Sequence, residues 1–274
     1  MSLIIVDKNK CKADGICTKV CPIEILKMDA DKQMPAAIEN AEEMCINCGH
    51  CVCVCPHAAL SLAKMPVKDL SELPADWRIP EDKLITFLKG RRSIRQYKNK
   101  EVFKEDIEKL IDIARYAPTG LNKQPVRWTV VYAKDHTRKL VELVVAWMRK
   151  LIDLKSPMAE SLRMDLTIAM WQQGKDRICR GAPHVILGHG LKEDMIAPQS
   201  TTIAFTYLEL AAVSMGLGPC WAGYVNMAVN SSEEVRNFLG LSSRSACFGA
   251  MLLGFSKYEY KRIPLRNNPK IKWR

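Results

Sequence analysis

Eight of the eleven cysteines lie between Cys11 and Cys55, and their spacing repeats. The later copy reads C-x2-C-x2-C-x3-C-P, and three cysteines of the earlier copy recur in it 34 residues further on. The earlier copy consists of Cys11, Cys17 and Cys21, and the later copy of Cys45, Cys48, Cys51 and Cys55. Asp14 stands at the position that corresponds to Cys48. Dense cysteines without a signal-peptide pattern in Met1–Lys10 indicate metal ligands rather than disulfides.

Iron–sulfur clusters explain both the intervals and the duplication. Three thiolates at two-residue intervals bind one cluster, and the cysteine before the proline reaches the other, which is the signature of bacterial two-cluster ferredoxins. We therefore expect one [4Fe–4S] cluster on Cys21, Cys45, Cys48 and Cys51, and a second on Cys11, Cys17 and Cys55 with Asp14 at the remaining corner. A zinc site is disfavoured, because structural zinc sites separate two C-x2-C pairs by a longer loop.

Asp14 has two interpretations. As a ligand, its carboxylate oxygen is a harder donor than thiolate and holds iron less firmly, so the cluster is either [4Fe–4S] with one exchangeable corner or [3Fe–4S] after iron loss. Alternatively, Asp14 only forms a turn with Gly15, and a [3Fe–4S] cluster results. We favour the first interpretation. Cys53 fits neither copy and is predicted to be a packed thiol.

A second group of chemically active residues begins at Arg91. The run R-R-S-I-R-Q-Y places three guanidinium groups and a hydroxyl within five residues, on Arg91, Arg92, Ser93 and Arg95. A guanidinium binds phosphate well because its N–H fork matches two oxygens. The alternative is a solvated basic end of a helix, which we disfavour.

Three segments together resemble the nitroreductase family. They are the run just described, the loop A-P-T-G-L-N-K-Q-P at 117–125, and the turn G-L-G-P-C-W-A-G at 216–223. They occur in the family's order, and the likeness covers roughly Glu81 to Arg274. The resemblance implies an FMN-binding α+β domain that forms a homodimer with two flavins at the interface. Fusion to an N-terminal two-cluster ferredoxin is itself a recognised arrangement of this family.

The resemblance also implies roles for individual residues. Arg91 and Ser93 would face the FMN phosphate, with Arg92 beside them, and Arg95 would face the pyrimidine edge. Loop residues would contact the flavin bound in the partner subunit, namely Pro118, Thr119, Gly120 and Asn122. The dimethylbenzene-to-N5 side of the flavin would lie along Trp221, Ala222 and Gly223. The basic tail would wrap the partner, with Arg262, or alternatively Arg266, at the phosphate. Cys220 is predicted to be a buried thiol, and no catalytic side chain is expected because the chemistry is centred on the flavin.

The elements that must position these residues form an α+β arrangement with two parts. We predict a two-cluster ferredoxin domain over 1–65, a proline-containing linker over 66–80, and a nitroreductase-like FMN domain with a C-terminal extension over 81–274. Helices are predicted over Glu81–Lys89, Lys104–Tyr116, about His136–Leu154 and Thr201–Met215, with another capped by Ser231, Ser232 and Glu234; strands are predicted over Arg127–Ala133, Ala182–Gly188 and Ala250–Gly254.

Charge and hydropathy exclude several functions. The chain carries a net charge of +11, of which the first 65 residues contribute −1. Nucleic-acid binding by the basic tail is disfavoured because its aromatic residues are too sparse for a stacking platform. The most apolar stretch, 203–225, contains Glu209 and is interrupted by Gly216 and Gly218, so no membrane span is expected, and a cytoplasmic location is predicted. The five histidines show no ligand spacing and are expected to be structural or exposed.

These observations predict an iron–sulfur flavoprotein oxidoreductase. Electrons would pass from the [4Fe–4S] clusters, or from NAD(P)H, to FMN and on to a small organic acceptor such as a nitroaromatic, a quinone or an activated alkene. Reduced ferredoxin is the alternative donor. Two other functions stay open: an electron-transfer or redox-sensing module without substrate turnover, and flavin-dependent dehalogenation on the same fold.

Overall fold

The computed structural model describes residues 3–274, so Met1 and Ser2 of the predicted first domain lie outside the described residues. The chain divides into two compact units. The first runs through Ile79 and also includes the short segment Leu121–Lys123. The second comprises Pro80–Gly120 and Gln124–Arg274. The predicted limits 1–65, 66–80 and 81–274 stay a prediction.

The first unit consists of short strands and single-turn helices around the cysteines. Two antiparallel strand pairs form its sheets: Ile4–Val6 pairs with Leu60–Leu62, and Leu26–Asp29 pairs with Met34–Ala37. Its elements are β1 (Ile4–Val6), α1 (Ile16–Lys19), β2 (Leu26–Asp29), β3 (Met34–Ala37), α2 (Ala41–Met44), α3 (His50–Cys53) and β4 (Leu60–Leu62), followed by a 3₁₀ turn at Val67–Asp69. Its apolar core is small, so bound clusters would contribute much of its stability.

The sequence repeat is visible in the backbone of this unit. Gly15 precedes α1 and Gly49 precedes α3, and the two glycines stand 34 residues apart, like the cysteines. Both adopt left-handed backbone, with φ of 68° and 77°. Glycine adopts this conformation without a Cβ penalty, so the chain can turn sharply inside each cysteine-rich loop.

The second unit is built on one four-stranded antiparallel sheet, whose strands lie side by side in the order Arg127–Val131, His184–Leu191, Ser245–Leu253, Cys220–Trp221. Its strands are β5 (Arg127–Val131), β6 (His184–Leu191), β7 (Cys220–Trp221) and β8 (Ser245–Leu253). Its helices are α4 (Glu81–Gly90), α5 (Lys104–Ala114), α6 (Lys134–Asp153), α7 (Pro157–Ser161), α8 (Met164–Gln172), α9 (Ala197–Ser214), α10 (Gly223–Ser231) and α11 (Glu233–Phe238).

Side chains that alternate along β6 divide the core of this unit into two layers. Val185 and Leu187 pack in one cluster with buried residues of α6, α8 and α10. Ile186, between them, packs in the other cluster with residues of α5 and α9 such as Phe205. Because successive strand residues point to opposite faces, β6 is covered on both sides, and all but its last residue are buried.

The α+β prediction is confirmed, and so are the long elements. Helices α4, α5, α6 and α9 and strands β5, β6 and β8 form where the periodicity predicted them, with different ends. Strand β8 starts five residues earlier than predicted, at Ser245, because residues 245–249 extend its backbone pairing with β6. The prediction missed α7, α8, α10 and the two-residue β7. Within residues 3–274, no helix has the length and apolar character to cross a membrane.

Candidate functional site

Two cavities in the first unit are each lined by one of the predicted ligand sets. Cys21, Cys45, Cys48 and Cys51 line one cavity, together with apolar side chains such as Ile25 and Leu62. Burial, together with the smaller effects of the neighbouring Cys48 and Cys21, raises the pKa of the Cys51 thiol to about 11. Iron must displace these protons, because the thiolate is the ligand. Four soft donors around an apolar cavity fit a [4Fe–4S] cluster.

Cys11, Asp14, Cys17 and Cys55 line the second cavity. Burial raises the pKa of Cys17, and the negative charges of Asp14 and Cys55 add to this effect. The Asp14 carboxylate also accepts the backbone N–H of Ile16 at 3.1 Å, at the start of α1. The Asp14 side chain therefore lines the cavity and takes part in a turn, so both interpretations of this residue stay open.

The cysteine arrangement differs from a single-ion site. Among residues 3–274, no group of three or more His, Cys, Asp or Glu side chains is close enough to hold one metal ion. A cluster of several irons spreads its thiolates more widely than one ion does, which agrees with ligands arranged around a cavity. The prediction that Cys53 is a packed thiol is wrong: Cys53 is exposed, at the last position of α3.

In the second unit, the fold brings two of the three family-like segments together. The backbone N–H of Ile94 donates to the carbonyl of Pro219 at 3.0 Å, which joins the arginine run to the turn at 216–223. Gly218 faces Ile94 so closely that a Cβ there would lie 2.7 Å from the Ile94 side chain. The Tyr97 hydroxyl donates to the carbonyl of Ile94 at 2.9 Å and fixes the end of the run. Glycine at 218 is therefore required by the close approach of these segments.

Arg91 is held by a carboxylate that was not among the predicted site residues. Its Nη1 donates to Oε1 of Glu209, on α9, at 2.9 Å. Glu209 is only 8% exposed, so its charge needs a partner. A guanidinium has five N–H donors, and this ion pair leaves others for a ligand.

Further guanidinium groups lie near the thiol of Cys220. Burial raises the pKa of Cys220, while the positive charges of Arg95 and Arg180, and more weakly Arg91, oppose the shift. Cys220 is buried, as predicted. Arg180 is outside all three family-like segments and was missed. In the sequence of the loop before β6, the one feature that could have indicated this site is a cation next to a glycine, Gly181.

Three further residues of the turn at 216–223 follow Cys220 directly. Trp221 is 41% exposed, and its ring lies 5.2 Å from that of Phe205, measured between centroids. Ala222 is buried and donates its backbone N–H to Ala250 on β8 at 2.8 Å. Gly223 is the first residue of α10. Backbone N–H groups of a first helical turn point outward, so this end can donate to a ligand.

The predicted loop 118–122 adopts a 3₁₀ turn at Gly120–Asn122. The hydroxyl oxygen of Thr119, between Pro118 and Gly120, accepts the backbone N–H of Gln124 at 3.1 Å, which closes the loop from 119 to 124. Asn122 belongs to the first unit, where its Nδ2 donates to the carbonyls of Ile46 and Asn47 at 3.0 and 2.9 Å. Its predicted contact with a flavin stays a prediction.

Three other arginines of the predicted flavin site, Arg92, Arg262 and Arg266, are held less firmly than Arg91. Arg92 lies 6.0 Å from the ring centre of Tyr260, a cation–π contact. Arg262 and Arg266 are exposed in the irregular tail, and Arg266 donates to the carbonyl of Leu265. Ser93 is half-buried. The flavin roles of all these residues stay predictions.

Comparison with known proteins agrees with this geometry. Residues 88–255 match the model of the nitroreductase family, and residues 3–63 match that of the 4Fe-4S dicluster domain. A relative from Methanothermobacter thermautotrophicus, provisionally named NADH dehydrogenase/NAD(P)H nitroreductase, is 23% identical over 66% of this chain and 81% of its own length. A relative of the same name from Archaeoglobus fulgidus is 26% identical over 62% of this chain and 83% of its own length.

Solved structures show the same fold. A nitroreductase with bound FMN from Desulfitobacterium hafniense superposes with a TM-score of 0.57 at 24% identity, covering 71% of this chain and 99% of that one. Another with bound FMN, from Bacteroides fragilis, gives 0.52 at 20% identity, covering 71% and 96%. FMN is bound in both of those structures, and the match to the 4Fe-4S dicluster model supports the prediction of iron–sulfur clusters in this chain. The chain belongs to the nitroreductase family of oxidoreductases and carries an N-terminal 4Fe-4S dicluster domain.

Proposed function

We propose that this oxidoreductase passes electrons from its iron–sulfur clusters, or from NAD(P)H, through FMN to a small organic acceptor. One observation carries the proposal: the positive charges of Arg95, Arg180 and Arg91 all act on Cys220, in the turn that resembles the family's flavin site. Such a group of cations suits an anionic cofactor with a phosphate at one end and a charged ring edge at the other. The two cysteine-lined cavities support the iron–sulfur part of the proposal.

The residues of the second unit have distinct tasks in this proposal. Arg91, held by Glu209, and Ser93 bind the phosphate. Arg95 stabilises negative charge at the pyrimidine edge, and a backbone N–H at Gly223 donates near N5. Bound FMN would supply the ability to take up electrons singly and deliver them in pairs. The protein's contribution is to place and polarise that ring, so no acid–base pair is required.

The partners follow from the same reasoning. The relatives' names include NADH dehydrogenase and NAD(P)H nitroreductase, which makes NAD(P)H one candidate donor, and the dicluster domain makes reduced ferredoxin another. We propose a homodimer, in which Arg262 or Arg266 of the exposed tail reaches the partner's flavin phosphate. The acceptor would be a nitroaromatic, a quinone or an activated alkene.

The test begins with protein purified without oxygen. Its visible spectrum should combine a broad iron–sulfur absorption with flavin, and denaturation should release FMN. The protein is then offered NADH, NADPH or reduced ferredoxin separately, each with the three acceptor classes. Turnover with one donor supports the proposal and identifies the electron source.

Two outcomes contradict it. Iron–sulfur absorption without releasable FMN would leave an electron-transfer or sensing module. FMN without reduction of any acceptor, but with loss of halide from a halogenated aromatic, would indicate dehalogenation.

A further inference from the structure

A large cavity in the second unit has no part in the proposed flavin chemistry. Its volume is about 700 Å³, within the range of small-molecule sites. The start of α6, the end of α8 with the loop that follows it, and residues 98–101 line it. It shares no lining residue with the candidate flavin residues at 91–95, 118–122 or 221–223. The cavity is therefore a separate candidate site.

Four cations line this cavity: Lys98, Lys100, Lys134 and Arg138. Three of these side chains make contacts that fix their position, and none of the contacts is with an acidic residue of the lining. Lys134 donates to the side-chain oxygen of Asn99 at 3.0 Å, and Lys100 lies 4.5 Å from the ring centre of Phe255. Arg138 pairs with Glu142 at 3.5 Å, an exposed contact of little strength outside the lining.

The two acidic residues of the lining do not balance these charges. The Asp176 carboxylate accepts the backbone N–H groups of Ile178, Cys179 and Gly181, at 2.8, 2.9 and 3.0 Å. It is thus engaged in shaping the loop before β6. Glu101 is the other acid, and it is exposed. The lining therefore favours an anion.

The inner wall is apolar and contains one aromatic ring. Val141, Ala182 and Pro183 are buried residues of the lining. Trp171, at the end of α8, packs against the core and is half-buried, so part of its indole faces the cavity. Such a ring can stack on a planar group of a ligand. The Thr137 hydroxyl donates to the carbonyl of Pro183 at 3.1 Å and holds the wall together.

We propose that this cavity binds a nucleoside phosphate, with the phosphate oxygens on the lysines and Arg138 and the base on Trp171. Lysine supplies compact charge and arginine a planar fork, and both suit phosphate better than a single carboxylate would. The basic C-terminal tail is not a suitable occupant, because residues 257–274 contain seven Lys and Arg against one Glu and so carry the same sign of charge as the cavity. This would be a second ligand site, in addition to the proposed flavin site, and its existence does not depend on the flavin function.

The experiment is calorimetric titration of the anaerobic holoprotein, loaded with clusters and FMN, with ADP. Adenosine and inorganic pyrophosphate are separate arms that test the base and the phosphates alone. Lys134→Gln/Arg138→Gln removes two cations of the cavity. The matched control, Lys139→Gln/Arg149→Gln, removes two exposed cations of the same helix that do not line it. Trp171→Leu removes the ring, and iron, FMN content and the thermal midpoint verify that each variant is folded.

We expect ADP to bind saturably. Its affinity should fall by about tenfold or more in the cavity variant, because charge-assisted hydrogen bonds are lost, and should be unchanged in the control. Trp171→Leu should weaken ADP but leave pyrophosphate unchanged. The absence of ADP binding, or equal weakening by the cavity and control variants, overturns the proposal. If pyrophosphate binds as tightly as ADP, and Trp171→Leu leaves ADP binding unchanged, the nucleoside part of the proposal is overturned. Because turnover is not measured, failure of the flavin function would leave these results interpretable.

Discussion

Nη1 of Arg91 lies 2.9 Å from Oε1 of Glu209, and this ion pair joins the first family-like segment to a helix 118 residues further along the chain. The carboxylate is nearly buried and the guanidinium is partly exposed. Removing the partner of a buried charge is costly, so the two side chains hold each other in place. We infer that Glu209 orients Arg91 toward the proposed phosphate.

Replacing Glu209 should therefore affect FMN and riboflavin differently. Glu209→Leu frees the guanidinium, and we expect FMN to bind about tenfold more weakly while riboflavin, which lacks the phosphate, binds as before. Glu209→Gln keeps an acceptor and should restore most of the affinity. Fluorescence titration of the apoprotein with both flavins measures this. Equal weakening for the two flavins would indicate a structural role, and tighter FMN binding would show that Glu209 competes with the phosphate.

The two units should lose their cofactors independently. Arg95→Gln should weaken FMN binding about tenfold or more, and Ser93→Ala by a smaller factor, because a neutral hydrogen bond contributes less than a charged one. Iron content should not change. The check is FMN and iron analysis after gel filtration, with Lys89→Gln, an exposed cation at the end of α4, as the control. Parallel loss of iron would contradict the proposed division of cofactors between the units.

Asp14 should make one cluster sensitive to oxidation. Its oxygen retains iron less firmly than the thiolate at the matching position, Cys48, does. Air exposure should therefore produce a [3Fe–4S] signal in electron paramagnetic resonance, and Asp14→Cys should reduce it. Asp31→Cys, on the exposed turn after β2, controls for an added thiol. A parent protein without the signal that retains eight irons would show that this corner is firmly held.

His184 should make the second unit less stable in acid. Its Nε2 accepts the N–H of Val102 at 2.9 Å, and its Nδ1 lies 2.8 Å from the carbonyl of Tyr132, so the neutral ring fits. Burial lowers the pKa of His184 below its ordinary value of 6.5. The unfolded chain therefore takes up the proton first, and stability falls as the pH drops below about 6.5, by at most about 1.4 kcal/mol per pH unit for one group.

His184→Gln should flatten this dependence, as measured by the thermal midpoint between pH 7.5 and 5. The exposed His136→Gln should keep it. Burial and the charge of Arg127 also lower the pKa of His189, so part of the slope should persist in His184→Gln. An unchanged slope in that variant would contradict the assignment to His184.

The cysteine repeat, the helical periodicities and the family-like segments were readable in the sequence because each is local. Ligand spacing in a cluster motif depends on a few adjacent residues, and the amphipathic pattern of α5 needs only its own eleven residues. The left-handed glycines before α1 and α3 belong to the same local repeat. Short elements such as α7 and β7 were missed because two to five residues contain too little periodicity.

The tertiary structure alone decided which distant residues meet. Glu209 is the one charged residue of α9, and only the packing of this helix brings it to Arg91. Arg180 reaches the surroundings of Cys220 because the loop before β6 positions it there. The cavity at Lys134 and Trp171 likewise forms only when α6 and α8 pack together. Such contacts depend on the three-dimensional path of the chain, and no local spacing in the sequence encodes that path.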